Sequence, residues 1–590
     1  MAMAGAYISY SELFDRKPSW DDAIALIKSL PMLTATATLL RMNLALRYVL
    51  QEHNKPNFGR LQQMMIGDFA DDETFRRLKE RFAYVSTDQR PIFIPLSVLN
   101  ILRLVLKHAR EAEPLATEDI PAVRHSLGTA CLMMNDLLLS AGEERQIREG
   151  IKDDRRLALL VQSLAPFELA NPPAAHHLFF RYGVMFRTLL NDPVVRVRIA
   201  NLCRGLDFQA EFTRLTGIAL EHWLHIVFAI YTHYLQGGNI FQPHLEFSFI
   251  DPTVFTGQSH LSPLELDAVL KTVSGTLTEL RGQIAQEATT DARFDFVPFR
   301  AKPLVPIATN RLACIDLAFV LEKLHTGVHW VMHDAYSNRG PERDDLFRAW
   351  GILFEEYVHW LLSGMESTLP ITYFRPHWEE GGESFDGMLL HGDVLVPLEY
   401  KGGFLARGAR YSGNIDEFVK DVNEKFGAGC HQLAWKLNAL FAQQESQRKK
   451  ITNAPPLSHV RAVVPVLVLQ DHILRVPFLN WYLNRRFQIE LASFSLRPGV
   501  LVRPLSVVNI FELETMVDSS EASGFDFVYA LHHRCVRDEE MISEVQDVMM
   551  QFPTYGRQQS ARWMRVYEEI KSSMFGYLFH VPGNQGSGTV

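Results

Sequence analysis

At 590 residues the chain exceeds what a single core organises, so about two or three domains are expected. Hydrophobic residues at 47% and charged residues at 22% exclude a disordered chain, and a net charge of −9 excludes a nucleic-acid partner held by overall charge alone. Cys131, Cys203, Cys314, Cys430 and Cys535 form no CxxC pair, which excludes a zinc ribbon and points to a reducing, cytoplasmic setting. The start MAMAGAYISYSELFDRKPSW has no basic stretch leading into an apolar run, so no signal peptide is expected. The apolar window WLHIVFAIYTHYL (223–235) is too short to span a bilayer, and no membrane partner is expected.

From Trp20 to about Gln236 the apolar spacing is helical, as in PMLTATATLLRMNLALRYVLQ (31–51) and PLSVLNILRLVLKHAREAE (95–113). Residues 1–236 are therefore read as a helical region, a sensor or partner-binding unit. Residues 237–340 read as a mixed α/β connection, with strand-like IFQPHLEFSFI (240–250) and PLVPIATNRLACID (303–316) around one long helix over 261–286. A helix over 316–336 carries His325, His329 and His333 four residues apart, but no HExxH motif, so zinc chemistry is set aside. The loop SNRGPERDD closes this part.

After the loop come a helix (345–363), a strand (370–376), a hairpin (384–402), a helix (414–443), a strand (459–469), a helix (476–487) and strand-like residues to about 511. Alternation of helices with apolar strands is an α/β layer pattern, assigned to 341–515. Residues 516–590 read as a helical extension with a disordered GNQGSGTV tail.

The hairpin SFDGMLLHGDVLVPLEYKGG (384–403) places charge on a buried sheet. VLVPL (394–398) is apolar on both faces, whereas a surface ion pair on an edge strand would have polar alternation there. Glu399 and Lys401, two apart, share a strand face, and a turn at 391–393 brings Asp386 alongside. Two carboxylates gathered this way suit a hard divalent cation, Mg2+ or Mn2+. The Tyr400 carbonyl is a further oxygen at the strand edge. Lys401 would orient or deprotonate a water, or stabilise charge on a phosphate.

The Asp386…Glu399-Tyr400-Lys401 pattern, behind the helix RDDLFRAWGILFEEYVHWLL (343–362), resembles the PD-(D/E)XK nuclease superfamily, and bacterial restriction and anti-phage nucleases within it. The likeness covers about 340–515 and departs from the motif in having Phe385 before the aspartate. It implies a restriction-endonuclease-like fold with a central mixed sheet. It also implies Mg2+-dependent phosphodiester hydrolysis, a helix glutamate completing the metal site and a glutamine on the helix after the motif strand. Glu355, beside Gly351, is the preferred helix residue, with Glu356 as the substitute, and Gln432 in CHQLAWKLNALF (430–441) is the glutamine. Arg407, Arg410, Lys425 and Lys436 are read as phosphate contacts, and GGFLARGARYSG (402–413) as a mobile loop closing on nucleic acid.

The chain is thus read as a cytoplasmic DNA endonuclease acting on double-stranded DNA in bacterial defence. A second copy or a partner protein is left open as the occupant of the helical region. The alternative is a non-catalytic nucleic-acid-binding or scaffold subunit of a defence or repair complex.

Overall fold

The computed structural model describes residues 7–50, 56–82, 90–111, 120–138, 175–237, 249–257, 261–286, 296–336, 340–365, 369–382, 384–406, 409–410, 415–471, 479–538, 541, 545–556 and 559–578. It is mostly helical, with a mixed sheet in the C-terminal half. Among the described residues no single helix is long and apolar enough to cross a membrane. Phe208–Thr216 and Leu220–Gln236 reach that measure only as a pair bent by 60°.

Among the described residues, three apolar cores hold the chain. One gathers Ile8–Leu138 with Leu280–Phe319, packing the helix Pro95–His108 against Met32–Val49. Its polar anchor is Asp316, buried with Arg47 2.8 Å away and Asn43 donating to it at 2.9 Å. The other two cores lie on opposite faces of the sheet.

The sheet runs, in spatial order, through Thr372–Phe374, Gly387–His391, Val394–Lys401, the broken strand Ala462–Val463 and Val466–Leu469, and the strands Leu501–Val502 and Ser506–Asn509. The first pairings are antiparallel and the later ones parallel, with Gly387 opposite Leu398 and Leu467 beside Glu399. Pleating sends Val396, Leu398, Tyr400 and Val468 to one face, under the helices Pro341–Ser363 and Ile510–Ser523. Met388, Leu395, Leu467 and Leu469 go to the other, under Ala428–Phe441 and Leu479–Leu491.

The two halves of the chain are joined by a buried polar chain. Arg181, on the helix Ala175–Tyr182, donates to both oxygens of Glu514 at 2.7 and 2.8 Å, and Tyr357 Oη donates to the same carboxylate at 2.6 Å. His325 lies 3.3 Å from Arg181 Nη1 and 3.0 Å from Gln470 Nε2, and the Gln470 backbone N–H donates to the Lys401 carbonyl at 3.1 Å. The first two of the spaced histidines are buried, and His325 is spent on this network.

Several elements differ from the sequence reading. The single helix over 261–286 is two, Pro263–Val273 and Leu277–Ala285. Ser274 bridges to Leu304, and Thr276 starts the second helix with a capping box to Glu279. Residues 303–316 form a hairpin, Leu304–Ala308 with Arg311–Cys314, its turn carried by Asn310 at φ 55°. Pro465 divides the strand over 459–469. The helix over 414–443 contains a π-helical segment, Asn423–Gly427, between Ile415–Val422 and Ala428–Phe441.

Candidate active site

Asp386 lies just before the strand Gly387–His391, and Glu399 and Lys401 end the strand Val394–Lys401. All three belong to the face covered by Ala428–Phe441, because each is an even number of residues from the buried Met388 or Leu395 of that face. Across from them Gly429, Gln432 and Lys436 follow one another at helical spacing, one stripe turned to the strand ends. Gly429 makes room for the lysine stem, since a Cβ there would lie 2.9 Å from Lys401 Cε.

Lys401 Nζ donates to Glu399 Oε1 at 2.9 Å and to Gln432 Oε1 at 2.5 Å. Lys436 Nζ donates to Glu399 Oε2 at 2.7 Å and stands 3.9 Å from Asp386 Oδ1. The Tyr400 N–H donates to Asp386 Oδ2 at 2.6 Å. The Lys401 carbonyl faces the neighbouring strand, where it accepts from Gln470. Strand alternation therefore turns the Tyr400 carbonyl to the Asp386 side. The Glu399 side chain is 3% exposed and that of Asp386 21%, so the glutamate forms the floor and the aspartate the mouth. Burial, and next the repulsion of Glu399, push the Asp386 carboxyl up to about 7 against the pull of Lys436, the Tyr400 N–H and Lys401.

The sequence-predicted residues Asp386, Glu399, Lys401 and Gln432 thus converge, with the Tyr400 backbone at the edge. Glu355 does not join them by any hydrogen bond or ion pair among the described residues. Its helix packs on the Tyr400 face of the sheet, the opposite one from Glu399. There Arg198 Nη2 donates to Glu355 Oε2 at 2.9 Å, Arg375 donates to Oε1, and the His359 ring lies 3.4 Å away. Burial would raise the Glu355 carboxyl, but the hydrogen bond from His359 and the guanidiniums of Arg198 and Arg375 bring it down to about 2. Glu356, the substitute, is held by the same two arginines.

Of the four cations read as phosphate contacts, the three that are described each stand beside a carboxylate. Arg410 is buried against Asp471 at 3.0 Å. Lys425 donates to the Phe404 carbonyl at 2.7 Å and pairs with Asp421 at 2.9 Å. Lys436 belongs to the carboxylate pair itself, and Arg407 lies outside the described residues. Of the loop over 402–413, residues 402–406 are tied down by buried Phe404 and Leu405, whose amide donates to Asp471 at 2.8 Å; 407–408 and 411–413 lie outside the described residues. The place of Lys436 was readable in outline: it follows Gln432 by four residues, one turn along the same helix.

As a cation seat the donor set is chemically suited, offering two carboxylates and a carbonyl, all hard oxygen ligands. No group of three or more His, Cys, Asp or Glu side chains able to hold a metal ion occurs among the described residues. Any ion here would therefore rest on the Asp386–Glu399 pair, backbone oxygen, water and substrate. No family model, curated protein or solved structure matches the chain.

Proposed function

We propose that the chain is a metal-dependent nuclease that hydrolyses phosphodiester bonds, with double-stranded DNA as substrate. Its work would be to destroy phage or foreign DNA in a bacterial host. The observation that carries this reading is the convergence of Asp386, Glu399, Lys401 and Gln432 at the ends of two paired strands. The joining of such a site to a large helical half supports the defence role, as an effector whose cleavage is released by a trigger.

Asp386, Glu399 and the Tyr400 carbonyl would hold Mg2+ or Mn2+, which supplies a water of lowered pKa and neutralises charge on the scissile phosphate. Lys401 has two N–H groups directed to Glu399 and Gln432, and an ammonium carries three donors. The third is available to orient the attacking water or a phosphate oxygen as negative charge builds. Gln432 positions that ammonium. The water oxygen bonds to phosphorus as the bond to the leaving oxygen breaks, and the proton lost by the water passes through solvent to the leaving oxygen.

Purified protein incubated with plasmid and Mg2+ or Mn2+ should cut it, and EDTA should stop the reaction. Glu399→Gln and Lys401→Ala should each lower the rate about 100-fold or more while circular dichroism stays native. Wild-type rates in either variant would remove the assignment. A non-catalytic nucleic-acid-binding subunit is favoured by one observation: both Glu399 oxygens are already taken by ammonium groups. That reading holds if DNA is bound and never cut with either metal.

A further inference from the structure

We propose that Lys436 is an internal counter-cation of the Asp386–Glu399 pair, standing where a divalent metal would sit, and that it yields this place when metal and a phosphodiester bind together. The inference rests on the nuclease reading of the site. Its ground is geometric. Lys436 Nζ is 2.7 Å from Glu399 Oε2 and 3.9 Å from Asp386 Oδ1, so one ammonium spans both carboxylates. Lys401 takes the other Glu399 oxygen at 2.9 Å. The buried glutamate therefore offers a metal no oxygen without a prior donor.

Charge leads to the same conclusion. With Asp386 ionised, two carboxylates face two ammonium groups and the centre is neutral. A dication added to it would bring two uncompensated charges into a site whose floor is buried, which is costly. That cost falls if one ammonium leaves the carboxylates and the anionic phosphodiester enters, because the excess is cut from two charges to one and the released ammonium moves away from the buried floor. The two lysines are not equivalent in this respect. Lys401 is also held by Gln432 at 2.5 Å, whereas among the described residues the polar contacts of the Lys436 ammonium run to the two carboxylates. Its stem is long and flexible, and its helix lies directly over the site. Once released, the ammonium would meet the phosphate that the metal holds, so Lys436 becomes a substrate contact in the second state.

Metal binding in the free protein should therefore be weak, and nucleic acid should strengthen it. By reciprocity metal should strengthen nucleic-acid binding by the same factor. The test is Mn2+ binding to the full chain, measured by electron paramagnetic resonance with and without a non-cleavable phosphorothioate duplex. Wild type should bind Mn2+ at least about tenfold tighter with duplex than without. Lys436→Met and Lys436→Gln should bind Mn2+ at least about tenfold tighter than wild type in the absence of duplex, and should lose most of the duplex effect.

Folded variants that bind Mn2+ no tighter than wild type overturn the proposal. If both unfold because Glu399 is left uncompensated, recovery of native circular dichroism on adding Mn2+ supports it, and failure to recover counts against it. Glu399→Gln separates this from the underlying reading. If that change leaves Mn2+ binding intact in the Lys436→Met background, the metal lies elsewhere and the nuclease site itself fails. If it abolishes binding while Lys436→Met shows no gain, only the role of Lys436 fails.

Discussion

A methyl group added at Gly429 would lie 2.6 Å from Leu467 Cδ1 and 2.9 Å from Lys401 Cε. The leucine belongs to a packed core and yields little, so the lysine stem must move and its bond to Gln432 lengthens. Gly429→Ala should cost about 1–3 kcal/mol of stability and reduce cleavage out of proportion to that loss. Parallel urea unfolding and plasmid assays check this, and an unchanged cleavage rate would remove the spacer role of Gly429. At this scale the site was partly legible. Asp386, Glu399 and Lys401 stand out because a strand apolar on both faces has no other reason to end in charge. Lys436 was less visible, since in sequence it is one of many basic residues after the motif. For Glu355 a helical wheel gives the stripe that packs, not the sheet face it packs on or the arginines that hold it there. Its partner Arg198 lies on Pro193–Leu202, far upstream, and nothing local announces that pairing.

The helix carrying Gln432 is entered through the π-helical segment Asn423–Gly427, whose extra residue rotates everything after it relative to Ile415–Val422. Without it, Gly429, Gln432 and Lys436 would share a face, but a different one from the face that meets the sheet. Periodicity shows a helix here and cannot show the insertion. Elsewhere the local signal is present in the sequence. Thr276 and Glu279 form the T-x-x-E box that starts Leu277–Ala285, inside what apolar spacing alone reads as one helix. Thr276→Ala should lower stability by about 1 kcal/mol, seen as a shift in urea midpoint with unchanged slope. No shift would mean that the bridge from Ser274 to Leu304 fixes the break without help.

For the whole molecule, acid is the condition that should expose its dependence on buried neutral groups. His225 is buried on Leu220–Gly237, and burial, with His222 and Arg187 nearby, pushes its imidazole down to about 3. Glu221, 3.9 Å from its Nε2, does not offset this. His176 is pushed down to about 4 by burial and by His177, with Glu514 opposing. Both are neutral in the folded chain and protonate on unfolding below about pH 6.5. Because the unfolded state then binds more protons, stability is full above that pH and falls as acid is added, by about 1.4 kcal/mol per pH unit for each histidine. Urea midpoints at pH 7 and 5 should show the decline, and His225→Gln should reduce its slope. A pH-independent midpoint would place these imidazoles in water.

The buried line from Arg181 through His325 and Gln470 to the Lys401 carbonyl has a consequence for how such a chain can change over time. A domain that can be passed between unrelated proteins needs a finished outer surface, and here the half that carries the sheet lacks one: its hydrophobic interior is completed by helices from the other half. Exchange of parts by recombination would expose raw interior on both sides. The two halves must therefore be inherited together, and substitutions at Arg181 or Glu514 should be tolerated only when both change.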